Sequence, residues 1–203
     1  MKSGFRKGEI SITMVKIGVL ALQGDFKEHI EILKKCNADA VEVRLPGDLK
    51  NVGGLIIPGG ESTAIGNLMR QCNLDKEIIK KHKSGMAIYG TCAGAILLSK
   101  GILGSSQPRL NLLDVSIKRN DYGRQVDSFE AELPIEKIGK FNGIFIRAPV
   151  IEKTGKEVKV LAKLNNNPVL VQQNGILAST FHPELTEDSR VHRYFIKIIK
   201  NRL

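Results

Sequence analysis

The chain has no tryptophan, and aromatic residues make up only 5% of its 203 residues. A surface that stacks nucleic-acid bases needs aromatics among its basic residues, so the net charge of +10 lacks the company that such a function requires. There is no arginine-rich arm. The lysines fall on predicted helix faces, as at Lys34-Lys35, Lys80-Lys81 and Lys197, and read as solvated surface. Nucleic acid is therefore not an expected partner. No apolar run approaches the roughly 20 residues of a membrane helix, so no membrane association is expected. The N-terminus also lacks the apolar core of a signal peptide, which points to a cytoplasmic protein. Cysteine is scarce: Cys36, Cys72 and Cys92 stand in no paired spacing, which excludes a disulfide framework and a zinc cluster. No metal and no cofactor are expected.

What is present suits one enzyme-sized domain. A hydrophobic content of 42% and a charged content of 26% are ordinary for a globular protein of this length. Residues 1–13 carry Gly4, Gly8 and several charges without periodicity and read as a flexible extension, with Met14 an alternative start. Residues 14–203 are expected to form a single domain. Its first segment, Lys16–Leu22, is a continuous apolar run of the kind that a buried parallel strand shows. A helix follows, with Phe26, Ile30 and Leu33 at helical spacing, then short strands at Ala40–Arg44 and Gly54–Ile57. Ser62 and Thr63 are natural N-cap residues for a helix bearing Ile65, Leu68, Met69 and Cys72 on one face. That periodicity makes Cys72 a core residue, and Cys36 reads the same way. A helix at Leu74–His82 leads to the strand Met86–Tyr89. Alternating strands and helices predict an α/β fold with a doubly wound, mostly parallel sheet flanked by helices.

Beyond about residue 111 the second half turns β-rich. Strands are predicted at Val115–Ile117, Gln125–Glu132 and Gly143–Ile146, and at Pro168–Gln173 and Ile176–Phe181 around an Asn174-Gly175 hairpin turn. A final helix over Ser189–Lys200 buries Val191, Tyr194, Phe195, Ile198 and Ile199.

The chemistry concentrates at Gly90-Thr91-Cys92-Ala93-Gly94, between an apolar strand and a helix. Glycines on both sides fit a strained corner where a Cβ would clash. A thiol at a helix start sits near unpaired N–H groups and the positive end of the dipole, both of which favour the nucleophilic thiolate. Cys92 is thus a candidate nucleophile in need of a base. Of the four histidines, His29, His82 and His192 lie in charged helical contexts and read as surface or helix-end residues. His182 ends a predicted strand and is followed by Pro183-Glu184, where α/β enzymes place site residues. Proline fixes the backbone, so Glu184 can turn back to set the imidazole tautomer and leave the other nitrogen to the thiol. In Pro58-Gly59-Gly60-Glu61, the Gly60 N–H together with that of Ala93 would make a two-donor oxyanion hole.

Together the Gly-Thr-Cys-Ala-Gly elbow, the Pro-Gly-Gly loop and the distant His-Pro-Glu resemble the class I, triad-type glutamine amidotransferases. The likeness narrows with Leu20–Gly24, Pro58–Thr63, Arg119-Asn120, Gly123–Gln125, Asp127–Phe129, Phe145–Pro149 and Thr180–Glu187, which resemble the glutaminase subunits of pyridoxal 5′-phosphate synthases over about residues 15–200. The resemblance implies a glutaminase that converts L-glutamine to L-glutamate and ammonia, the ammonia passing to a synthase subunit in a hetero-oligomeric complex. It implies the triad Cys92, His182 and Glu184, and substrate contacts from Gly59, Gly60, Glu61, Arg119, Ile146 and Arg147. Arg119 or Arg147 could equally be ion-pair partners within the fold. Gln23 is placed by the family near the oxyanion hole, or caps the first helix. The alternatives are the glutaminase subunit of another amidotransferase and a cysteine hydrolase of related fold. Against the hydrolase, Ala93 follows Cys92 where peptidases of related fold place their histidine.

Overall fold

Lys16–Leu20 forms strand β1, and its environment explains why it is apolar throughout: Ile17 and Val19 enter one core while Leu20 enters another on the opposite face. The computed structural model describes residues 14–119 and 128–202. The expected extension over residues 1–13, and the motif residues Asn120, Gly123, Arg124, Gln125 and Asp127, lie outside the described residues.

After β1 come helix α1 (Phe26–Lys35), β2 (Asp39–Val43), β3 (Gly54–Ile57), α2 (Ser62–Gln71), α3 (Leu74–Lys83), β4 (Ala87–Thr91) and α4 (Ala93–Leu98). The β-rich half follows as β5 (Ser99–Ile102), β6 (Leu113–Lys118), β7 (Ser128–Ile135), β8 (Gly139–Ile146), β9 (Val150–Thr154), β10 (Lys159–Leu164), β11 (Asn167–Gln173) and β12 (Ile176–Ser179), closed by α5 (Arg190–Lys200). A seven-stranded sheet has the order β10-β11-β12-β4-β3-β1-β2. Strands β2, β1, β3, β4 and β12 run parallel, and β11 and β10 extend the sheet antiparallel. Strands β5, β6 and β9 make a three-stranded sheet, and β7–β8 a separate ribbon.

The alternation of side chains divides the core. Leu55, Ile57 and Ile88 pack on one face with Ile65 and Met69 of α2 and Ile78 of α3. Ile56, Tyr89 and Leu177 pack on the other with Leu33 of α1 and Phe195 and Ile199 of α5. At the β11–β12 turn, Asn174 and Gly175 both have positive φ (46° and 82°), as a twist-matched two-residue hairpin turn demands. Strands β5, β9 and β10 escaped the sequence reading. Glu152, Lys153 and Thr154 of β9 are all exposed, and the β10–β11 pairing shifts register, so neither strand shows clean alternation.

Two local expectations are corrected. The N-cap of α2 is Glu61, not Ser62 or Thr63; its carboxylate accepts from the N–H groups of Thr63 (3.0 Å) and Ala64 (2.6 Å). Cys36 and Cys72 are half-buried rather than buried: each is the C-cap of its helix, and only Cys72 packs against the core from its edge.

Candidate active site

The carboxyl ends of β1, β3, β4 and β12 open into one cleft of about 450 Å³. Such a position, beside the point where strand order reverses from β1, is where open parallel sheets bind ligands. Cys92 lies there between β4 and α4, with φ 46° and ψ −100°. A non-glycine residue at positive φ costs roughly 1–3 kcal/mol, and the fold holds it by clamping both sides. The Cys92 N–H donates to Ser179 O (2.8 Å), its carbonyl accepts from Ile96 N–H (3.3 Å), and its Sγ faces Ile146 O at 3.9 Å. The glycine that follows the elbow is required by contact: a Cβ on Gly94 would come to 2.0 Å from Ile57 O.

His182 follows β12, its backbone N–H donating to Ile144 O (2.8 Å). A 3-10 turn over Pro183–Leu185 brings Glu184 back under the ring, and its Oε1 lies 2.8 Å from His182 Nδ1. That leaves the other ring nitrogen free towards the cleft, which His182 and Cys92 line together. Burial opposes charge on the imidazole, but the proximity of Cys92 and the bond to Glu184 outweigh it and push the His182 pKa up to about 10. Glu184 is itself buried, which raises its carboxyl, against the opposing pull of His182. The three expected triad residues are therefore brought together in the expected order.

Contrary to the surface or helix-end positions expected of them, His29 and His192 are both fully buried. His29 of α1 reaches Thr91 Oγ1 (3.1 Å) and His192 Nε2 (2.9 Å), and its Nε2 lies 3.5 Å from Glu184 Oε2. The lysines and arginines around them in sequence occupy the opposite helix faces. Burial lowers both: His192 falls to about 3, and His29, further opposed by the charges of His192 and His182, falls well below the ordinary value. His82 sits at the end of α3 as read, its Nδ1 against Met86 O.

The cleft is lined by Gly60, Glu61, Arg119, Ile146, Arg147 and Ala93 around Cys92 and His182. Gly59 lies beside them: a Cβ there would meet His182 Cε1 at 2.4 Å, so the glycine permits the imidazole's position. Arg119 pairs with Glu61 (3.3 Å) and donates to Gln107 Oε1 (2.7 Å), so it both lines the cleft and serves as an ion-pair partner. Partial burial would raise the Glu61 carboxyl, but the α2 N–H groups and Arg119 hold it below the ordinary range. Gln107, also accepting from Ser62 and Thr63, escaped the sequence reading because nothing in its local pattern marks it. Gln23 does not cap α1; its Oε1 accepts from Glu61 N–H (2.8 Å) and ties the β1–α1 loop to the glycine loop. In that loop Asp25 Oδ2 lies 3.5 Å from His182 Nδ1. Among the described residues, Asp25, His182 and Glu184 offer ligand atoms within 4.8 Å of one another. A cation held there would take the Nδ1 position that Glu184 uses.

The α/β fold is that of the class I glutamine amidotransferases. Within that class the chain belongs to the SNO glutamine amidotransferase family, whose profile matches residues 19–201. A pyridoxal 5′-phosphate synthase subunit PdxT of Thermus thermophilus is 54% identical over 184 residues, covering 90% of this chain and 96% of the relative. The protein of the same name from Desulforamulus reducens is 52% identical over 186 residues, 91% of this chain and 99% of its own. A crystal structure of a glutamine amidotransferase superposes with TM-score 0.89 at 53% identity, covering 91% of this chain and 98% of that one. PurLQS from Thermotoga maritima, TM-score 0.68 at 17% identity over 93% of this chain and 99% of its own, shares the fold alone. No described helix is long and apolar enough to cross a membrane.

Proposed function

We propose that this chain is the glutaminase subunit of a pyridoxal 5′-phosphate synthase, hydrolysing L-glutamine to L-glutamate and ammonia and handing the ammonia to a synthase subunit. The observation that carries the reading is His182, hydrogen-bonded to Glu184 and lining one cleft with Cys92. The Cys92 thiolate attacks the side-chain amide carbon of glutamine, and the N–H groups of Gly60 and Ala93 receive the developing oxyanion. His182, protonated by the thiol, gives that proton to the departing ammonia and leaves a glutamyl thioester on Cys92. His182 then takes a proton from water, the hydroxide adds to the thioester, and glutamate leaves as the thiol is restored. Glu184 holds the Nδ1–H tautomer and stabilises the imidazolium.

Arg119 and Glu61 offer a cation and an anion side by side at the rim, complementary to the α-carboxylate and α-ammonium of glutamine. Gly59, Ile146 and Arg147 complete the substrate contacts. Residues 14–203 act as one catalytic unit, and the unpaired Cys36 and Cys72 fit a reducing, cytoplasmic setting. The relatives named as synthase subunits point to the synthase as partner. The test is glutamate release from glutamine by the full chain, with and without a synthase subunit. Release is expected to rise with the partner, and ammonia to appear in pyridoxal phosphate; equal rates and no transfer would leave a glutaminase of another kind.

A further inference from the structure

Behind the triad lies a buried polar chain that the glutaminase reaction does not use. From Glu184 it runs through His29 to His192, joining the turn after β12 to α1 and α5 on one face of the sheet. Resting on the triad reading above, we propose that His29, backed by His192, is a positioning residue that holds the Glu184 carboxylate on His182.

The donor and acceptor roles follow from the neighbours. Glu184 Oε1 accepts from His182 Nδ1–H, and stabilising the imidazolium in the triad role requires the carboxylate to be ionised. Its Oε2 is buried and makes no hydrogen bond within standard distance among the described residues. A buried carboxylate oxygen left bare is costly, and the group it faces is His29 Nε2 at 3.5 Å. Only a donor is tolerable there, which places a proton on His29 Nε2, shared with Thr91 Oγ1 at 3.1 Å. Nδ1 of His29 is then an acceptor, and His192 Nε2–H supplies it at 2.9 Å. His192 Nδ1 is left as a bare lone pair, and it is among the buried atoms without a partner in the described residues. One assignment satisfies every contact.

Both rings are neutral in that assignment, as their complete burial requires. The charged or titratable groups facing His29 are Glu184 from the 3-10 turn, His182 beside it, His192 from α5 and the Tyr89 ring of β4 at 6.4 Å. A neutral donor steadies Glu184 without competing with His182 for its charge, whereas a cation would draw the carboxylate away. Thr91 immediately precedes Cys92, so the same nitrogen braces the nucleophile's strand and the triad's carboxylate. Asp25, 3.5 Å from His182 Nδ1, is the competitor that a loosened Glu184 would face.

The experiment uses the full chain as wild type, His29→Leu, His29→Gln and His192→Leu, with folding checked by far-ultraviolet circular dichroism. Two readouts are followed: carbamidomethylation of the Cys92 peptide by iodoacetamide at pH 6.5, and kcat and KM for glutamate release. His29→Leu is expected to slow both alkylation and kcat about tenfold, the effect of about one unit of pKa on the imidazolium–thiolate pair, with KM within about twofold. His29→Gln keeps an N–H donor at similar reach and is expected to recover most of both rates; His192→Leu is expected to move them in the direction of His29→Leu. Wild-type rates in folded His29→Leu overturn the proposal, as does His29→Gln no better than His29→Leu. Should His29→Leu fail to fold, wild-type rates in His192→Leu overturn it. Wild-type protein without Cys92-dependent glutamate release overturns the triad reading and this proposal with it. An active wild type with unresponsive variants overturns the positioning role alone.

Discussion

Below pH 6.5 the unfolded chain protonates His192 and the folded chain does not. Burial holds this side chain at a pKa of about 3 in the native state. A depressed native pKa means that the unfolded state binds more protons, so stability is complete above 6.5 and falls as the pH drops towards 3. The slope for one histidine is about 1.4 kcal/mol per pH unit, and at pH 5 the loss from His192 comes to about 2 kcal/mol. His29 adds to it with the same sign, through its burial first and then its charged neighbours. His182 runs the other way: raised to about 10, its contribution is whole below 6.5 and is lost progressively as pH rises from 6.5 to 10. Glu184, raised by burial, offsets part of the loss in acid. The clean measurement is therefore a difference. With no tryptophan to report, urea unfolding is followed by far-ultraviolet circular dichroism at pH 7.5 and pH 5 for wild type and His192→Leu. The stability of wild type relative to the variant is expected to drop by about 2 kcal/mol between the two pH values, a sizeable part of a domain's 5–15 kcal/mol. A difference that does not change with pH refutes a buried, neutral His192.

Three substitutions probe other parts of the site. Glu184→Gln keeps an acceptor for His182 Nδ1–H but no charge, and glutamate release is expected to fall by about 10²–10⁴-fold with KM for glutamine little altered, as steady-state kinetics will show. Gly94→Ala drives a methyl to 2.0 Å from Ile57 O, and is expected to cost more than about 3 kcal/mol in denaturant unfolding or to leave no soluble protein. Glu61→Ala removes the α2 cap and the partner of Arg119; thermal unfolding should register about 1 kcal/mol of lost stability, and KM should rise more than kcat falls.

The layout of the sheet and the triad were legible because their signals are local. A buried parallel strand must be apolar on both faces, as β1 and β3 are, and Asn174-Gly175 specifies its own turn. Cys92 and His182-Pro183-Glu184 declare themselves by residue type and by their places at strand ends. Where the reading failed, the deciding partner lies far off in the chain. His29 and His192 sit among charged residues in sequence, yet their own positions fall on the faces of α1 and α5 turned to the sheet, where the two rings share a 2.9 Å hydrogen bond. Ser62 looked like a cap by propensity, but its hydroxyl turns to Gln107, and Glu61, pulled to the helix end by two N–H groups, takes the role. Gln107 has no sequence signal at all; only the fold brings it under Arg119.

Covalent attack by Cys92 is the step on which all the others depend. Full-length protein incubated with L-glutamine, quenched in acid and digested for mass spectrometry is expected to carry a glutamyl adduct on the Cys92 peptide. Cys92→Ala is expected to lose both the adduct and glutamate release. Glutamate release undiminished in Cys92→Ala, or an adduct confined to Cys36 or Cys72, would contradict it.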